Sequence, residues 1–208
     1  MKPKKTELIK IDAASQVAAE KEIAELFGSV PPSRYEAAHL IQVLDKSGSM
    51  AGEKANQLKM AVKELEKQFP EITTVTIAFD DEIHRLDNLD QYHPEGNTAL
   101  LDGIVAAIEV TAAETAHNNV MVVVICDGED NRSQTTMKDV AQIVAEKKAI
   151  GWQFYVIHIA GRYSLNYQHI YDQLGIPSIT EKEIPTAVSK LTQGIYGYLE
   201  TGKLLLSN

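Results

Sequence analysis

The feature that most constrains the fold is a series of four short apolar runs separated by amphipathic segments. The runs cover residues 40–44, 75–79, 120–125 and 154–159. Uninterrupted apolar runs of this length are typical of strands that are covered on both faces. The four runs therefore predict the buried strands of a largely parallel sheet.

Helical patterns lie between and after these runs. Apolar residues recur at intervals of three and four within residues 55–69, 101–108, 137–144 and 184–206. The last of these helices is predicted to start from a capping box made by Thr180 and Glu183. Strands that alternate with helices predict an α/β fold with helices on both faces of the sheet.

A short charged segment, residues 82–86, follows the second apolar run after a tight turn through Asp80 and Asp81. Its length and charge suit an antiparallel edge strand. We therefore predict a doubly wound, Rossmann-like sheet that is mostly parallel with one antiparallel edge strand. In the strand order 3-2-1-4-5-6 of such sheets, strands 1 and 4 are neighbours, and ligands bind at their C-terminal ends.

The N-terminal residues are predicted to lie outside this sheet. Residues 13–27 have a helical pattern, and residues 28–33 form a connector that contains paired prolines. The remaining length and the 44% hydrophobic content fit one globular domain. We predict a helical appendage with a Pro-rich connector over 1–34 and a domain over 35–208. The appendage helix either packs on the domain or docks a partner.

Composition narrows the classes of partner and the compartment. The net charge of -9 argues against binding to nucleic acid or to an anionic membrane surface. The single cysteine, Cys126, cannot form an intramolecular disulfide, and residues 1–5 lead into polar sequence rather than an apolar signal core. No run approaches the roughly 20 apolar residues that span a bilayer. We expect a cytoplasmic protein with neither nucleic-acid nor membrane partners.

Asp45, Ser47 and Ser49 occupy alternate positions directly after the first apolar run. Carboxylate and hydroxyl oxygens are the ligands that a hard divalent cation such as Mg²⁺ prefers. Asp127 follows the run over 120–125 in the same way, so the predicted strand order brings it near Asp45. Two neighbouring carboxylates repel and raise a pKa unless a cation lies between them. The sequence therefore predicts a metal site.

Thr98 precedes a predicted helix, where its hydroxyl either caps that helix or provides the metal with another oxygen. These residues together resemble the metal-ion-dependent adhesion site of von Willebrand factor A domains. That site has the pattern Asp-x-Ser-x-Ser, then a Thr, then Asp-Gly, and this chain fills all five positions in the family's order, with residues 45–49, Thr98 and Asp127-Gly128. The resemblance covers residues from about 40 to about 160, and more loosely extends to 175.

The resemblance implies a Mg²⁺ site, with Mn²⁺ or Ca²⁺ as possible substitutes. Ser47 and Ser49 would ligate the ion through their hydroxyls, and Thr98 would do so directly or through water. Asp45 and Asp127 would act directly or by holding coordinated waters. In the family, an Asp or Glu carboxylate of a partner protein takes the open position on the ion. The implied function is a metal-dependent protein-binding module, similar to small stand-alone members of bacteria and phages.

Several other charged residues lie near the predicted site. Asp102 follows Thr98 by four residues on one helix, so it either accepts a hydrogen bond beside the metal ligands or is solvated. Glu129 and Asp130 are predicted to form an acidic rim that caps the following helix. Lys46 departs from the family pattern because it places a cation next to the first ligand.

An enzymatic alternative is a magnesium-dependent phosphate-ester hydrolase or phosphotransferase that uses Asp45. Phosphotransferases of the haloacid dehalogenase type need a second Asp two residues after the nucleophile, where this chain has Ser47. The sequence contains neither a Gly-x-Ser-x-Gly elbow nor a complete phosphate-binding Gly-x-x-x-x-Gly-Lys-Ser/Thr loop. Its six histidines lack the spacing of zinc ligands. The residues therefore favour a binding module over an enzyme.

Overall fold

The computed structural model describes residues 38–114, 119–128, 130–160 and 167–202. The predicted appendage over 1–34, including its helix, lies outside these residues, as does Glu129. The boundary between this appendage and a domain over 35–208 therefore stays a prediction.

Within the described residues, six strands form one sheet. They are β1 (His39–Asp45), β2 (Thr73–Phe79), β3 (Ile83–Leu86), β4 (Val120–Cys126), β5 (Gln153–Ile159) and β6 (Ser178–Glu181). Their order across the sheet is β3-β2-β1-β4-β5-β6, and every neighbouring pair is parallel except β2 with β3. This confirms the predicted doubly wound sheet, with its antiparallel edge strand and with β1 beside β4.

Helices cover both faces of the sheet. They are α1 (Glu53–Gln68), α2 (Leu100–Glu114), α3 (Met137–Ala149), α4 (Gln168–Gln173) and α5 (Ile184–Thr201). Along β1, Leu40 and Leu44 pack with α1 and α5, whereas Ile41 and Val43 pack with α2 and α3 on the other face. Because both faces of this strand are covered, it carries the nearly continuous apolar run from which it was predicted.

The C-terminal region differs from the prediction. Strand β6 and the short helix α4 are not predicted by the sequence patterns, since β6 has four residues and only Ile179 among them is buried. The predicted capping box is wrong, because Thr180 lies within β6 and the Glu183 side chain makes no cap hydrogen bond. Pro185 in the first turn of α5 favours the start of the helix instead.

Helix α5 also ends earlier than the predicted residue 206. Gly202 follows its last turn with a φ of 76°, a left-handed conformation that glycine adopts without steric cost. The N–H of Gly202 donates to the carbonyl of Tyr198, which satisfies a carbonyl of the final turn. The helix therefore ends at Thr201 in a common C-terminal capping conformation.

Helix α2 approaches strand β2 closely at Gly103. A Cβ atom at this position would lie 2.8 Å from Cδ1 of the Phe79 ring and 3.1 Å from its Cβ. The Phe79 side chain is fully buried, and close-packed interiors leave little room for such a ring to move. Glycine at position 103 therefore allows the contact between α2 and the sheet.

We expect Gly103→Ala to lower the free energy of unfolding by about 1–3 kcal/mol, because an added methyl group overpacks the core. Urea denaturation measures this change. Gly197→Ala is the matched control, since a Cβ there would meet no atom within 4 Å. The control should be neutral or stabilising by up to about 1 kcal/mol. Equal losses in the two variants would contradict the proposed close approach.

Candidate metal centre

Two carboxylates lie at the C-terminal edge of the sheet. Asp45 is the last residue of β1, and Asp127 directly follows the neighbouring strand β4. Asp45 is fully buried, and the Asp127 side chain is only 2% exposed. The backbone N–H of Asp127 lies 3.4 Å from Oδ2 of Asp45. The sheet thus places these two groups next to each other in a region with little access to water.

Ser47 and Ser49 lie on the turn that leaves β1, where Gly48–Met50 forms a single 3₁₀ turn. The N–H of Ser47 donates to Oδ1 of Asp45 at 2.8 Å, which orients that carboxylate. The Oγ atoms of the two serines are 3.0 Å apart, and Oγ of Ser49 donates to Oδ1 of Asp127 at 2.5 Å. Both hydroxyls therefore lie in one network with the carboxylates.

Thr98 is buried two residues before the start of α2. A Cβ atom on Gly128 would lie 3.4 Å from Oγ1 of Thr98 and 4.0 Å from Oδ2 of Asp45, so the hydroxyl and the carboxylate flank one small space. Among the described residues, the Thr98 hydroxyl has no hydrogen-bond partner. This favours the interpretation of Thr98 as an oxygen ligand over the alternative of a helix cap.

The loop after β4 caps α2. Oδ1 of Asp130 accepts a hydrogen bond from the N–H of Leu100 at 3.1 Å, and Oδ1 of Asn131 accepts from the N–H of Thr98 at 3.0 Å. The prediction that Asp130 caps the following helix is wrong, because α3 is capped by Thr136. The acceptor on Asp130 reaches back to a helix that precedes it in the chain.

Asp102 ties α2 to this same loop. Its carboxylate accepts hydrogen bonds from the N–H groups of Gln134 and Thr135, each at 2.9 Å. Burial alone would raise the pKa of Asp102, but these hydrogen bonds lower it below its usual value. Of the two predicted roles, the hydrogen bonds support a positioning residue rather than a solvated one.

The loop before α2 is held against the first loop through Gly96. This residue has a φ of 71°, and a Cβ on it would lie 2.2 Å from Oδ2 of Asp81, so no other residue fits without rearrangement. The carbonyl of Gly96 accepts from the N–H of Gly48 at 3.1 Å. Asn97 donates its backbone and side-chain N–H groups to the Asp81 carboxylate at 3.0 and 2.8 Å.

Lys46 directs its charge away from the predicted ligands. Its ammonium forms an ion pair with Asp80 and donates to the carbonyl of His93 at 3.3 Å. The side chains of Lys46 and Asp80 are each 6% exposed. Burial would raise the pKa of Asp80, but the contact with Lys46 and the N–H of Glu82 lower it overall. This departure from the family pattern therefore leaves the carboxylates of the site without a cation from Lys46.

Two residues that were not predicted also contact the site. The ammonium of Lys54, in the first turn of α1, forms an ion pair with Oδ2 of Asp127. The hydroxyl of the fully buried Tyr92 donates to the backbone carbonyl of Asp45 at 2.5 Å. Neither residue belongs to a motif. The only signal for Lys54 is a cation at a helix N-terminus, where positive charge is disfavoured.

The chemistry of this donor set fits a hard divalent cation. The pKa of Asp45 is raised to about 6, mainly by burial and in smaller part by the charge of Asp127, while the hydrogen bonds from Ser47 oppose the rise. A cation between the carboxylates would relieve this unfavourable burial of negative charge. In the described part of the chain, no cluster of three or more His, Cys, Asp or Glu could hold a metal ion. A metal here would therefore need the hydroxyl ligands as well.

Comparison with solved structures identifies the fold. BatB, a conserved hypothetical protein from Bacteroides thetaiotaomicron, matches with a TM-score of 0.61 and 16% identity over 79% of this chain and 100% of that chain. The VWA domain of SpRpn10 matches with a TM-score of 0.54 and 14% identity over 74% and 94% of the two chains. Manganese-loaded TRAP from Plasmodium vivax gives a TM-score of 0.55 and 14% identity over 74% and 72%. The chain therefore has the fold of a von Willebrand factor A domain.

At the level of sequence, no protein-family model matches the chain, and neither does any curated protein. None of the helices in the described residues is long and apolar enough to cross a membrane.

We expect Lys46→Met to lower the free energy of unfolding by about 3–5 kcal/mol, because it leaves the Asp80 carboxylate buried without its partner. Lys63→Met is the control, since Lys63 pairs with Asp90 at the surface and such pairs contribute at most about 1 kcal/mol. Urea denaturation at several pH values measures both.

The pH dependence has a defined sign. Pairing lowers the folded-state pKa of Asp80 below its ordinary value of 3.8. The stabilisation is therefore complete above that ordinary value and is lost as the pH falls through the lowered pKa. The difference in stability between the wild type and Lys46→Met should shrink over that acidic range. A loss in Lys63→Met as large as in Lys46→Met would contradict the buried pair.

Proposed function

We propose that this chain is a metal-dependent protein-binding module. It holds Mg²⁺ at the C-terminal edge of its sheet, and the ion binds an Asp or Glu carboxylate of a partner protein. The observation that supports the proposal is that carboxylate and hydroxyl oxygens from three loops lie close together beside the ends of β1 and β4. The proposed metal ligands are Asp45, Ser47, Ser49, Thr98 and Asp127.

Each ligand has a defined task in this proposal. The hydroxyls of Ser47 and Ser49 bind the ion, and the hydroxyl of Thr98, in the loop before α2, completes the set. Asp45 and Asp127 balance its charge, either directly or through coordinated water. A bound Mg²⁺ supplies a positive centre that accepts an outside carboxylate oxygen, because it retains exchangeable water when protein oxygens are few. The manganese-loaded similar structure supports a divalent ion, and Mn²⁺ or Ca²⁺ are possible substitutes.

The neighbouring acidic residues position the loops. Asp102 and Asp130 hold the loop after β4 against the start of α2, and through it they fix the relative placement of Thr98 and Asp127. We retain Glu129 as a proposed rim residue. The binding module corresponds to residues 35–208 in this proposal, with 1–34 as an appendage.

Burial of the reactive groups favours binding over catalysis. Asp45 is fully buried and its oxygens face the N–H groups of Ser47 and Asp127, which suits a group that holds an ion rather than one that attacks a phosphate ester. Burial raises the pKa of the Cys126 thiol, so this residue is not poised as a nucleophile. Burial also disfavours the charged form of His158 and so lowers its pKa. These surroundings support a non-enzymatic role.

Thr98→Val tests the metal site with little disturbance to the fold, since the hydroxyl it removes has no partner among the described residues. We expect magnesium affinity to fall about tenfold or more, as for other groups around a metal ion, and stability in EDTA to change by less than about 1 kcal/mol. Asp45→Ala and Asp127→Ala should abolish detectable binding. Isothermal titration calorimetry measures the affinities.

Thr111→Val is the matched control for this series. Thr111 is buried in the same helix, α2, and its hydroxyl donates to the carbonyl of Ala107 at 2.7 Å, remote in sequence from the ligands. It should bind magnesium like the wild type. Unchanged magnesium affinity in Asp45→Ala and Asp127→Ala would refute the ligand assignment.

The carboxylate-binding role predicts a specific kind of peptide ligand. Selection of displayed random peptides on the full chain with Mg²⁺ should enrich sequences that share an Asp or Glu. Exchange of that residue for Asn or Gln, or addition of EDTA, should abolish binding, because only an ionised carboxylate both ligates and neutralises the ion.

Two outcomes would contradict this role. Selected peptides that bind equally well in EDTA would place recognition on another surface. Turnover of p-nitrophenyl phosphate that requires both Mg²⁺ and Asp45 would favour the phosphate-ester hydrolase instead.

A further inference from the structure

Asp127 already contacts two groups that belong to the chain itself. One carboxylate oxygen, Oδ1, accepts the hydrogen bond from Ser49 at 2.5 Å, and the other, Oδ2, carries the ammonium of Lys54. Among the described residues, Lys54 is the only lysine or arginine that pairs with either Asp127 or Asp45. The chain therefore supplies one tethered positive charge to a pair of buried carboxylates.

The position of Lys54 is unfavourable apart from this contact. It lies in the first turn of α1, at the positive end of the helix dipole, where cations destabilise a helix. Its side chain is 33% exposed, whereas the Asp127 side chain is 2% exposed, so the lysine reaches inward from the surface. The ion pair with Asp127 offsets the cost of placing the charge there.

A metal ion that binds the serine hydroxyls must share this space. Because Ser49 bonds to Asp127, an ion ligated by that hydroxyl would lie beside the same carboxylate that holds Lys54. Two cations on one buried carboxylate lie within about 6 Å and repel strongly where water is excluded. Binding of the ion therefore requires the ammonium to move away or to remain at a cost in affinity.

We propose that Lys54 is a built-in competitor of the divalent cation, which occupies Asp127 and must be displaced when the metal binds. This inference rests on the metal site proposed above. It assigns to Lys54 a role outside the ligand set: the residue limits metal affinity and keeps the carboxylates compensated when metal is scarce.

The test compares four versions of the whole 208-residue chain by titration with Mg²⁺ alone and by thermal melting with and without EDTA. Lys54→Met removes the charge and keeps the length of the side chain, whereas Lys54→Arg keeps the charge. Lys67→Met is the matched control, since it causes the same change in net charge as Lys54→Met. Lys67 lies at the far end of the same helix, and its side chain is 75% exposed. The wild type is the reference.

We expect Lys54→Met to bind Mg²⁺ about tenfold or more tightly than the wild type, which is the scale of coupling between close charged groups. Lys54→Arg and Lys67→Met should bind like the wild type. In EDTA, Lys54→Met should melt at a lower temperature, because Asp127 then lacks a counter-charge, and saturating Mg²⁺ should give it the largest increase in melting temperature. A merely structural lysine would change the melting temperature without raising the affinity.

Equal or weaker magnesium binding by Lys54→Met, with binding by the wild type intact, would overturn the competition. Failure of all four proteins to bind Mg²⁺ would instead overturn the proposed metal site itself, and with it this inference.

Discussion

The edge of the sheet depends on the charge balance between two buried carboxylates. Strand order brings the ends of β1 and β4 together, and the apolar interior that stabilises these strands also excludes water from Asp45 and Asp127. Burial of ionised groups is costly unless they are paired or bind a metal. Four donors around them each reduce that cost: the N–H groups of Ser47 and Asp127, the Ser49 hydroxyl and the Lys54 ammonium. A positive charge at this position therefore stabilises the folded protein.

The loops that carry the proposed ligands are hydrogen-bonded to one another and do not depend on the sheet alone for their placement. The N–H of Gly48, in the loop after β1, donates to the carbonyl of Gly96, in the loop before α2. Thr98, in the loop before α2, and Asn131, in the loop after β4, are joined by two hydrogen bonds of 3.0 Å. Magnesium requires nearly ideal octahedral geometry, so small errors in the placement of ligands reduce its binding. These mutual hydrogen bonds would hold the oxygens of the proposed site in place before an ion binds, which would lower the cost of ordering them.

The sequence was most informative where a feature is local. Buried strands appear as apolar runs, and the spacing of Asp45, Ser47 and Ser49 is visible within five residues. The features that it missed depend on tertiary contacts: β6 is short and polar apart from Ile179, and Asp130 caps a helix that begins 30 residues before it. Such a cap exists only because β1 and β4 are neighbours, so no periodicity within the loop could reveal it.

In the proposed competition, Lys54 would keep Asp127 paired with a positive charge when the metal concentration is low. A tethered ammonium acts at a fixed, high effective concentration, whereas a free ion competes in proportion to its own concentration. The tethered group neutralises one charge and a divalent ion neutralises two, so the ion has the larger electrostatic gain at a site with two carboxylates. The metal affinity would then reflect the difference between these two states rather than the strength of the proposed ligands alone. A carboxylate from a partner would stabilise the metal-bound state, because it would interact with the ion and not with an Asp127 that is paired with Lys54. In the proposed module, partner binding and metal binding would strengthen each other because the partner's carboxylate ligates the ion, and competition by Lys54 would lower the metal affinity that the partner has to raise.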